Sequence, residues 1–334
     1  MDEFTFEQGS FDGSEARRIA VPASLFTDGP QPPFVLFDRR GRRADLAIAR
    51  TVYVSPSDEL ALDTFLRGGI ARIAESRRIT QFARAWALHH VLINEVDLAL
   101  RILPDLNAIP RLTPIVEIAA TQVAQDPGAY LAEVAHTVQS PATHAVATAL
   151  YALTLAASEG LDDRISLVRI GTAALLADVS KFRMPRLVAR GADLTDGERE
   201  LLRTHAQHGA DLLGLAGVRD KTLLDAVRLH HERWDGRGYP EGMRGAAIPL
   251  EARILRIADA YAALTVDRPD APGLRGYEAL MEMAQSDGEF EPRLLRSYVR
   301  ALGRALSVNA RWTTPDDREL QTDESNLTQI RDVA

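Results

Sequence analysis

The sequence predicts a mostly α-helical protein, with a small N-terminal α+β module ahead of an all-helical C-terminal bundle. Two observations lead to this fold class: short β-prone runs are confined to the first part of the chain, and apolar residues recur at helical spacing from about Ile79 onward. The 334 residues suit roughly two domains of about 150 residues each. Hydrophobic residues make up 46% of the chain, which is enough apolar material for a sizeable core.

Residues 1–75 form the predicted N-terminal module. Its β-prone runs are Ile19–Phe26, Pro33–Asp38 and Leu46–Val54. Ser55 and Pro56 then have the residue types of a helix N-cap and of a first helical position. We expect Gly68 and Gly69 to end this helix and Ile70–Ile73 to return as a strand. The module has no catalytic pattern, so we interpret it as a regulatory or adaptor module.

The remainder of the chain divides into three parts. Residues 76–135 are a predicted helical connector that would also suit dimerisation, so a homodimer stays open. Residues 136–310 form the predicted all-helical domain, with loops at Arg183–Leu194 and Arg233–Pro249. Residues 311–334 are a polar, charged tail.

Composition excludes several functional classes. The chain has no cysteine, which excludes disulfides, thiolate metal sites and a cysteine nucleophile. Its net charge of −8 argues against a nucleic-acid polymer as partner, because such binding depends on lysine and arginine. No apolar segment reaches the roughly 18 residues of a membrane span, and the N-terminus lacks the pattern of a signal peptide. We therefore expect a cytoplasmic protein without a membrane partner.

Histidine and aspartate carry the chemistry that the sequence suggests. Five of the eight histidines lie from His144 onward, on well-separated helical stretches that a bundle can bring to one centre. Asp178 and Asp259 are embedded in apolar helical runs, where a carboxylate is costly unless it is paired or binds a metal. Imidazole and carboxylate ligands together suit iron, manganese, zinc, cobalt or nickel. The pattern therefore permits a divalent-metal site inside the bundle, while each residue taken singly also suits an ordinary helix position satisfied by its neighbours.

The sharpest local signal is the segment from His230 to Pro240, which reads HHERWDGRGYP. Adjacent residues of a regular helix point about 100° apart, so a helix would struggle to aim two successive histidines at one ion. A helix end can do so, and so can a cluster of two ions. Gly236 and Gly238 permit backbone geometry that other residues resist, and Pro240 ends the turn.

This segment resembles the HD-GYP signature HHExxDGxGYP at all eight specified positions. Ala174–Pro185, Leu194–Gly209, Ile248–Asp259 and Glu289–Pro292 resemble further motifs of the same family. The resemblance covers roughly residues 137–305, about half of the chain. The family is a branch of the HD phosphohydrolases, and its active members are metal-dependent phosphodiesterases that hydrolyse cyclic di-GMP. The resemblance implies an all-helical HD-type bundle for the C-terminal domain.

Matching the motifs position by position implies a set of functional residues. The implied metal ligands are His144, Asp178, His205, His230, His231 and Asp259. The implied catalytic residues are Asp178 and Lys181, and the implied substrate-binding residues are Lys181 and Arg268. The implied loop-shaping residues are Gly236, Gly238, Tyr239 and Pro240. Iron or manganese is the expected divalent metal, and one ion, two ions or none stay open.

The chain also departs from the family's motifs. The histidine of the HD pair is replaced by Ala177, and the glycine of the HDIGK segment by Ser180. The phosphate-binding RPYR motif reads Arg268-Pro269-Asp270-Ala271, which keeps one cation and gains an acid. A glutamate that some members use for a third metal is Ser140 here. These changes point to hydrolysis that is reduced, absent or redirected.

Two functional hypotheses follow. In the favoured one, the protein is a signalling receptor or scaffold that binds cyclic di-GMP or a related nucleotide, a metal, or a protein partner through the N-terminal module or the GYP-like loop. In the alternative, it is an active metal-dependent phosphodiesterase that hydrolyses cyclic di-GMP to pGpG or GMP with an altered metal site. Loss of the HD histidine at Ala177 motivates the first hypothesis, and retention of the other ligand-type residues motivates the second.

Overall fold

A computed structural model describes residues 18–103, 105, 107–134, 140–190, 193–265 and 273–309. Helices dominate these residues, and the β-structure is a two-stranded sheet, as the predicted fold class requires. The predicted polar tail, 311–334, lies outside the described residues. Within the described ranges, none of the helices combines the length and the apolar composition that a membrane span requires.

The first compact unit of the chain extends to Val91. Strand β1 (Ile19–Pro22) pairs antiparallel with strand β2 (Thr51–Val54). The predicted strand over 33–38 is wrong: only Phe37 makes bridge contacts there, with Tyr53 and Arg43. The prolines at 32 and 33 lack the N–H group that a sheet ladder needs.

Helix α1 (Glu59–Glu75) continues through the glycine pair that we expected to end it. That prediction and the predicted strand at 70–73 are both wrong. A glycine inside a helix costs about 1 kcal/mol relative to alanine, but burying one large aliphatic side chain stabilises by about 1.5–3 kcal/mol. Leu66, Ile70 and Ile73 are buried along one face of α1. Tertiary packing therefore outweighs the local helix-breaking signal.

The second compact unit extends from Leu92 to Asn309. Helix α2 (Gln81–Ile102) begins in the first unit and ends in the second. The remaining helices are α3 (Ala108–Gln125), α4 (Pro127–Val134), α5 (Pro141–Ser158), α6 (Arg164–Leu176), α7 (Pro185–Val188), α8 (Asp196–Arg203), α9 (His205–Leu215), α10 (Lys221–Leu229), α11 (Leu250–Thr265), α12 (Gly276–Gln285) and α13 (Pro292–Asn309). The 3-10 helices of this unit are Val179–Arg183 and Gly245–Ala247.

Helix α5 forms the centre of this unit and packs against α3, α4, α6, α11 and α13. It is apolar on all sides, which is typical of a helix buried in a core. Ser140 caps its N-terminus, because the Ser140 hydroxyl accepts from the Thr143 N–H while Thr143 bonds back to the Ser140 N–H. This cap fixes the first turn of α5, which carries His144. The position that the family resemblance aligns with a third-metal glutamate is therefore part of a helix cap here.

Candidate metal centre

The structure brings all six sequence-predicted ligand residues into one cluster. His144 lies in the first turn of α5 and Asp259 lies within α11. The other four lie at helix ends: Asp178 follows α6, His205 begins α9, and His230 and His231 follow α10. Because α10 ends at Leu229, two successive histidines can both face the cluster.

The cluster has two groups of candidate ligand atoms that share Asp178. We call Asp178, His205, His230 and His231 the histidine side, and His144, Asp178 and Asp259 the acidic side. Within each group the ligand atoms lie within 4.8 Å of one another. Such spacing is short enough for each group to surround a metal ion.

On the histidine side, the Nε2 atoms of His205 and His230 lie 3.2 and 3.6 Å from Asp178 Oδ1. The Nε2 atoms of His231 and His205 are 3.0 Å apart. An ion with bonds of about 2.1 Å holds neighbouring ligand atoms about 3.0 to 3.4 Å apart, depending on the coordination geometry. The histidine side therefore fits a divalent ion.

Backbone carbonyls determine which ring nitrogen of two histidines is free. His205 Nδ1 donates to the Leu202 carbonyl at 2.7 Å, and His230 Nδ1 donates to the Val227 carbonyl at 2.6 Å. Both Nε2 atoms are left as lone-pair donors directed at the cluster. The buried atoms His230 Nε2 and Asp178 Oδ1 have no hydrogen-bond partner within the described part of the chain. Unpartnered buried lone pairs are costly, and a metal ion would satisfy both.

His231 is held differently from its two neighbours. Its Nδ1 accepts a hydrogen bond from the Arg256 guanidinium at 3.3 Å, which leaves the proton on Nε2 facing His205. The Tyr239 ring stacks on the His231 ring with centroids 4.8 Å apart. Ligation through His231 Nε2 would replace the hydrogen bond to His205. Of the histidine side, His231 is therefore the least prepared ligand.

The acidic side is internally paired. His144 Nε2 lies 3.0 Å from Asp259 Oδ1. The Lys181 ammonium donates to Asp178 Oδ2 at 2.7 Å, on the oxygen opposite to the one that faces the histidines. Ala177, at the C-cap of α6, offers no ligand atom.

The pKa shifts follow the same division. Burial lowers the pKa of His205 and of His231, which keeps both imidazoles neutral. Burial also acts to lower the pKa of His144, but the hydrogen bond to Asp259 and the negative charges of Asp259 and Asp178 together outweigh it and raise that pKa. Burial would raise the pKa of Asp178, yet the Lys181 ammonium holds it well below its usual range.

The loop from Glu232 to Met243 holds the two successive histidines in position. Glu232 is buried, and its carboxylate accepts from the backbone N–H groups of Glu241, Gly242 and Met243 at 2.6, 3.0 and 3.0 Å. Glu232 is a specified position of the HHExxDGxGYP motif, but the sequence alone assigns it no role. Its position directly after two histidines is the signal that the sequence offers.

Two glycines of this loop have structural reasons to be glycine. Gly236 has a φ of +82°, which other residues rarely adopt. A Cβ atom at Gly238 would overlap the backbone of His231, Glu232 and Arg233. These contacts are those expected of loop-shaping residues, and the loop continues through a cis peptide bond between Tyr239 and Pro240.

Ion pairs attach this loop to the segment before α13. Arg233 pairs with Asp235 at 2.9 Å and with Glu289 at 2.8 Å. Arg256 also pairs with Glu289 and lies 3.9 Å from Asp259. Sequence reasoning missed Arg256, because it occupies an unspecified position of the motif, and its signal was a charge in an apolar helix three residues before Asp259. The predicted substrate-binding residue Arg268 lies outside the described residues.

Comparison with known proteins finds an HD domain in this chain. A model described as HD domain matches residues 130–294. A cyclic di-GMP phosphodiesterase of Pseudomonas aeruginosa is 35% identical over 57% of this chain and 46% of its own length. The cyclic di-GMP phosphodiesterase response regulator RpfG of Xanthomonas campestris is 34% identical over 45% of this chain and 40% of its own length. The matches thus span less than half of each of these two relatives.

A solved HDG"Y"P protein from Bdellovibrio bacteriovorus superposes with a TM-score of 0.64 over 86% of this chain and 99% of its own. At 16% identity, this similarity shows the fold. The helical bundle and the matched family model define an HD-domain protein. The complete HHExxDGxGYP signature and these relatives make the HD domain of this chain similar to those of the HD-GYP family.

Proposed function

We propose that this chain is a cyclic di-GMP-linked signalling protein whose HD-GYP domain binds a divalent ion and the nucleotide, with hydrolysis reduced or lost. One observation carries the proposal: the position of the HD histidine is Ala177, and the remaining acidic-side ligands pair with each other and with Lys181. The names of the relatives support cyclic di-GMP, or a related cyclic dinucleotide, as the ligand.

The residues around the cluster suit an anionic ligand. A bound divalent ion supplies positive charge for a phosphate and lowers the pKa of water. Lys181, half-buried beside Asp178, can donate to a phosphate oxygen at the same centre. We assign the second phosphate contact to Arg268, and we take iron or manganese as the metal because the ligands are imidazole and carboxylate.

The N-terminal module completes the proposal. We assign it a regulatory or adaptor role, with a protein partner bound through this module or through the GYP-like loop. The connector over 76–135 is the segment that we assign to a homodimer. A size measurement of the full chain tests the last point, because a strict monomer would remove the dimerisation role.

The alternative function is an active phosphodiesterase with an altered metal site. All six ligand-type residues other than the HD histidine are present, and their ligand atoms lie in two groups that share Asp178. If the histidine side suffices for hydrolysis, the chain would convert cyclic di-GMP to pGpG or GMP without an imidazole at 177.

One experiment separates the two functions. Full-length protein purified without oxygen is loaded with iron or manganese, and cyclic di-GMP binding and hydrolysis are measured on the same sample. Ala177→His is the test variant, and Ala177→Asn is the matched control that adds bulk and polarity without an imidazole. We expect the wild type and Ala177→Asn to bind without turnover and Ala177→His to gain hydrolysis. Wild-type turnover equal to that of Ala177→His would establish the alternative, and absence of nucleotide binding in all three would contradict both.

A further inference from the structure

We propose that the cluster binds one divalent ion tightly, on the histidine side, and that the Lys181 ammonium takes the place of a second ion on the acidic side. The inference rests on the metal binding included in the proposed function and is independent of nucleotide turnover. Two observations support it: the fold leaves some lone pairs of the cluster unsatisfied, and the buried charges of the cluster balance best with one ion.

The histidine side has lone pairs that the protein itself does not satisfy. Among the residues that the structure describes, Asp178 Oδ1 and His230 Nε2 are buried without a hydrogen-bond partner. Neither the His205 ring nor the His230 ring can move its proton to Nε2 at no cost, because each Nδ1–H already bonds a backbone carbonyl. An ion bound here would interact with polar atoms whose burial without a partner otherwise costs free energy.

On the acidic side, His144 Nε2 and Asp178 Oδ2 are already paired, and among the described residues the ligand-type atom left buried without a hydrogen-bond partner on His144 is Nδ1. A second ion would have to break the contact between His144 and Asp259 and the contact between Lys181 and Asp178. Among the described residues it would gain three protein ligands, one of them shared with the first ion. The histidine that the family's motif places at 177 is an alanine here, so this position adds no further ligand.

Charge balance favours the same outcome. With every imidazole in the neutral form that binds a metal, two carboxylates and the Lys181 ammonium give the cluster one net negative charge, and the adjacent Arg256–Glu289 pair is neutral. One divalent ion changes this to one positive charge, which still attracts phosphate. Two ions would leave three positive charges in a largely buried cluster, where uncompensated charge is strongly unfavourable.

Manganese binding to the full chain tests the proposal without any activity readout. Metal content gives the number of tightly bound ions, and electron paramagnetic resonance separates an isolated Mn²⁺ from a spin-coupled pair. We expect the wild type to bind one tight, isolated ion and to take a second only at about 100-fold higher manganese. Two tight, spin-coupled ions in the wild type would overturn the proposal while leaving the proposed function intact. Absence of any bound manganese would overturn the proposal and the metal binding that the proposed function assumes.

Variants identify which group limits the second ion. Lys181→Met removes the ammonium, and Ala177→His adds a ligand, so each should tighten binding of the second ion about tenfold. The double variant should give a spin-coupled pair. His208→Ala, an exposed histidine one turn after His205, is the control that should change nothing. Circular dichroism checks that each variant is folded. If the folded double variant still bound one ion, ligand number and charge would not be what limits the wild type, and the proposal would be wrong.

Discussion

The histidine side and the acidic side share Asp178, but the first is prepared to bind a metal ion and the second is already paired within the protein. On the histidine side, backbone carbonyls hold two imidazoles with free lone pairs, and burial keeps the imidazoles of His205 and His231 neutral. On the acidic side, the imidazole of His144 is stabilised in its charged form by Asp259, and a lysine neutralises the shared aspartate. Residues of the same ligand type are therefore prepared to bind a metal ion only where the fold leaves their lone pairs unpaired.

The largest expected effect is a difference in metal affinity between a variant of the histidine side and a variant of the acidic side. His205→Ala removes a prepared ligand and should weaken manganese binding by about 100-fold or more, because loss of a supporting contact alone typically costs 10- to 100-fold. His144→Ala removes an imidazole of the same chemistry from the paired side and should change affinity by less than about fivefold. Calorimetric titration of both variants measures this contrast. Equal losses would mean that one ion uses both sides.

The loop that holds the histidine side should be the next most sensitive feature. Gly238→Ala places a Cβ atom against the backbone of His231 and Glu232, so we expect a loss of about 3 kcal/mol in the free energy of unfolding. The matched control is Gly214→Ala in α9, where a Cβ atom meets nothing and helix propensity should add about 0.5–1 kcal/mol. Urea unfolding without added metal measures both. A tolerated Gly238→Ala would show that the loop can move away from the histidines.

A smaller loss should follow from Glu232→Gln. The buried carboxylate accepts three backbone N–H groups, and an amide leaves one donor facing another, which costs about 1–3 kcal/mol. Glu241→Gln alters an exposed glutamate of the same loop and should be nearly neutral. Thermal unfolding of the two variants gives the comparison. If the two were equally stable, the loop would not depend on the Glu232 carboxylate.

The contributions of the two sides to stability should also respond oppositely to pH. Of the expected effects, this one should be the smallest in free energy. His144 has a raised folded pKa, so its contribution to stability is present below pH 6.5 and is lost as pH rises through that folded pKa. His205 has a lowered folded pKa, so stability is lost as pH falls below 6.5. Histidine ring proton resonances of the protein without metal, assigned with alanine variants, should titrate above pH 6.5 for His144 and below it for His205. Titration of both on the same side of pH 6.5 would remove the electrostatic contrast.

The sequence predicted the residues of the cluster better than their arrangement. Motif register selected six ligand-type residues whose ligand atoms lie together, and the helix end at Leu229 explains how two successive histidines can meet. The division into two sides could not be predicted, because it depends on which ring nitrogen or carboxylate oxygen meets a carbonyl, a lysine or nothing.

Local signals failed where tertiary packing decides. The glycine pair in α1 reads as a helix end, but buried aliphatic residues on both sides of it keep the helix intact. Arg256 is invisible to a motif that leaves its position unspecified, and only the fold shows that it donates to His231. Side-chain contacts across helices are therefore the part of the site that residue spacing does not encode.

The most direct test of the one-ion account is the position of the metal itself. Crystals of the full chain grown with manganese would give an anomalous difference map of the cluster. The account predicts one peak, beside Asp178 Oδ1 and the Nε2 atoms of His205 and His230, with Lys181 still bonded to Asp178 Oδ2. Two peaks of comparable height, or a single peak between His144 and Asp259, would contradict it.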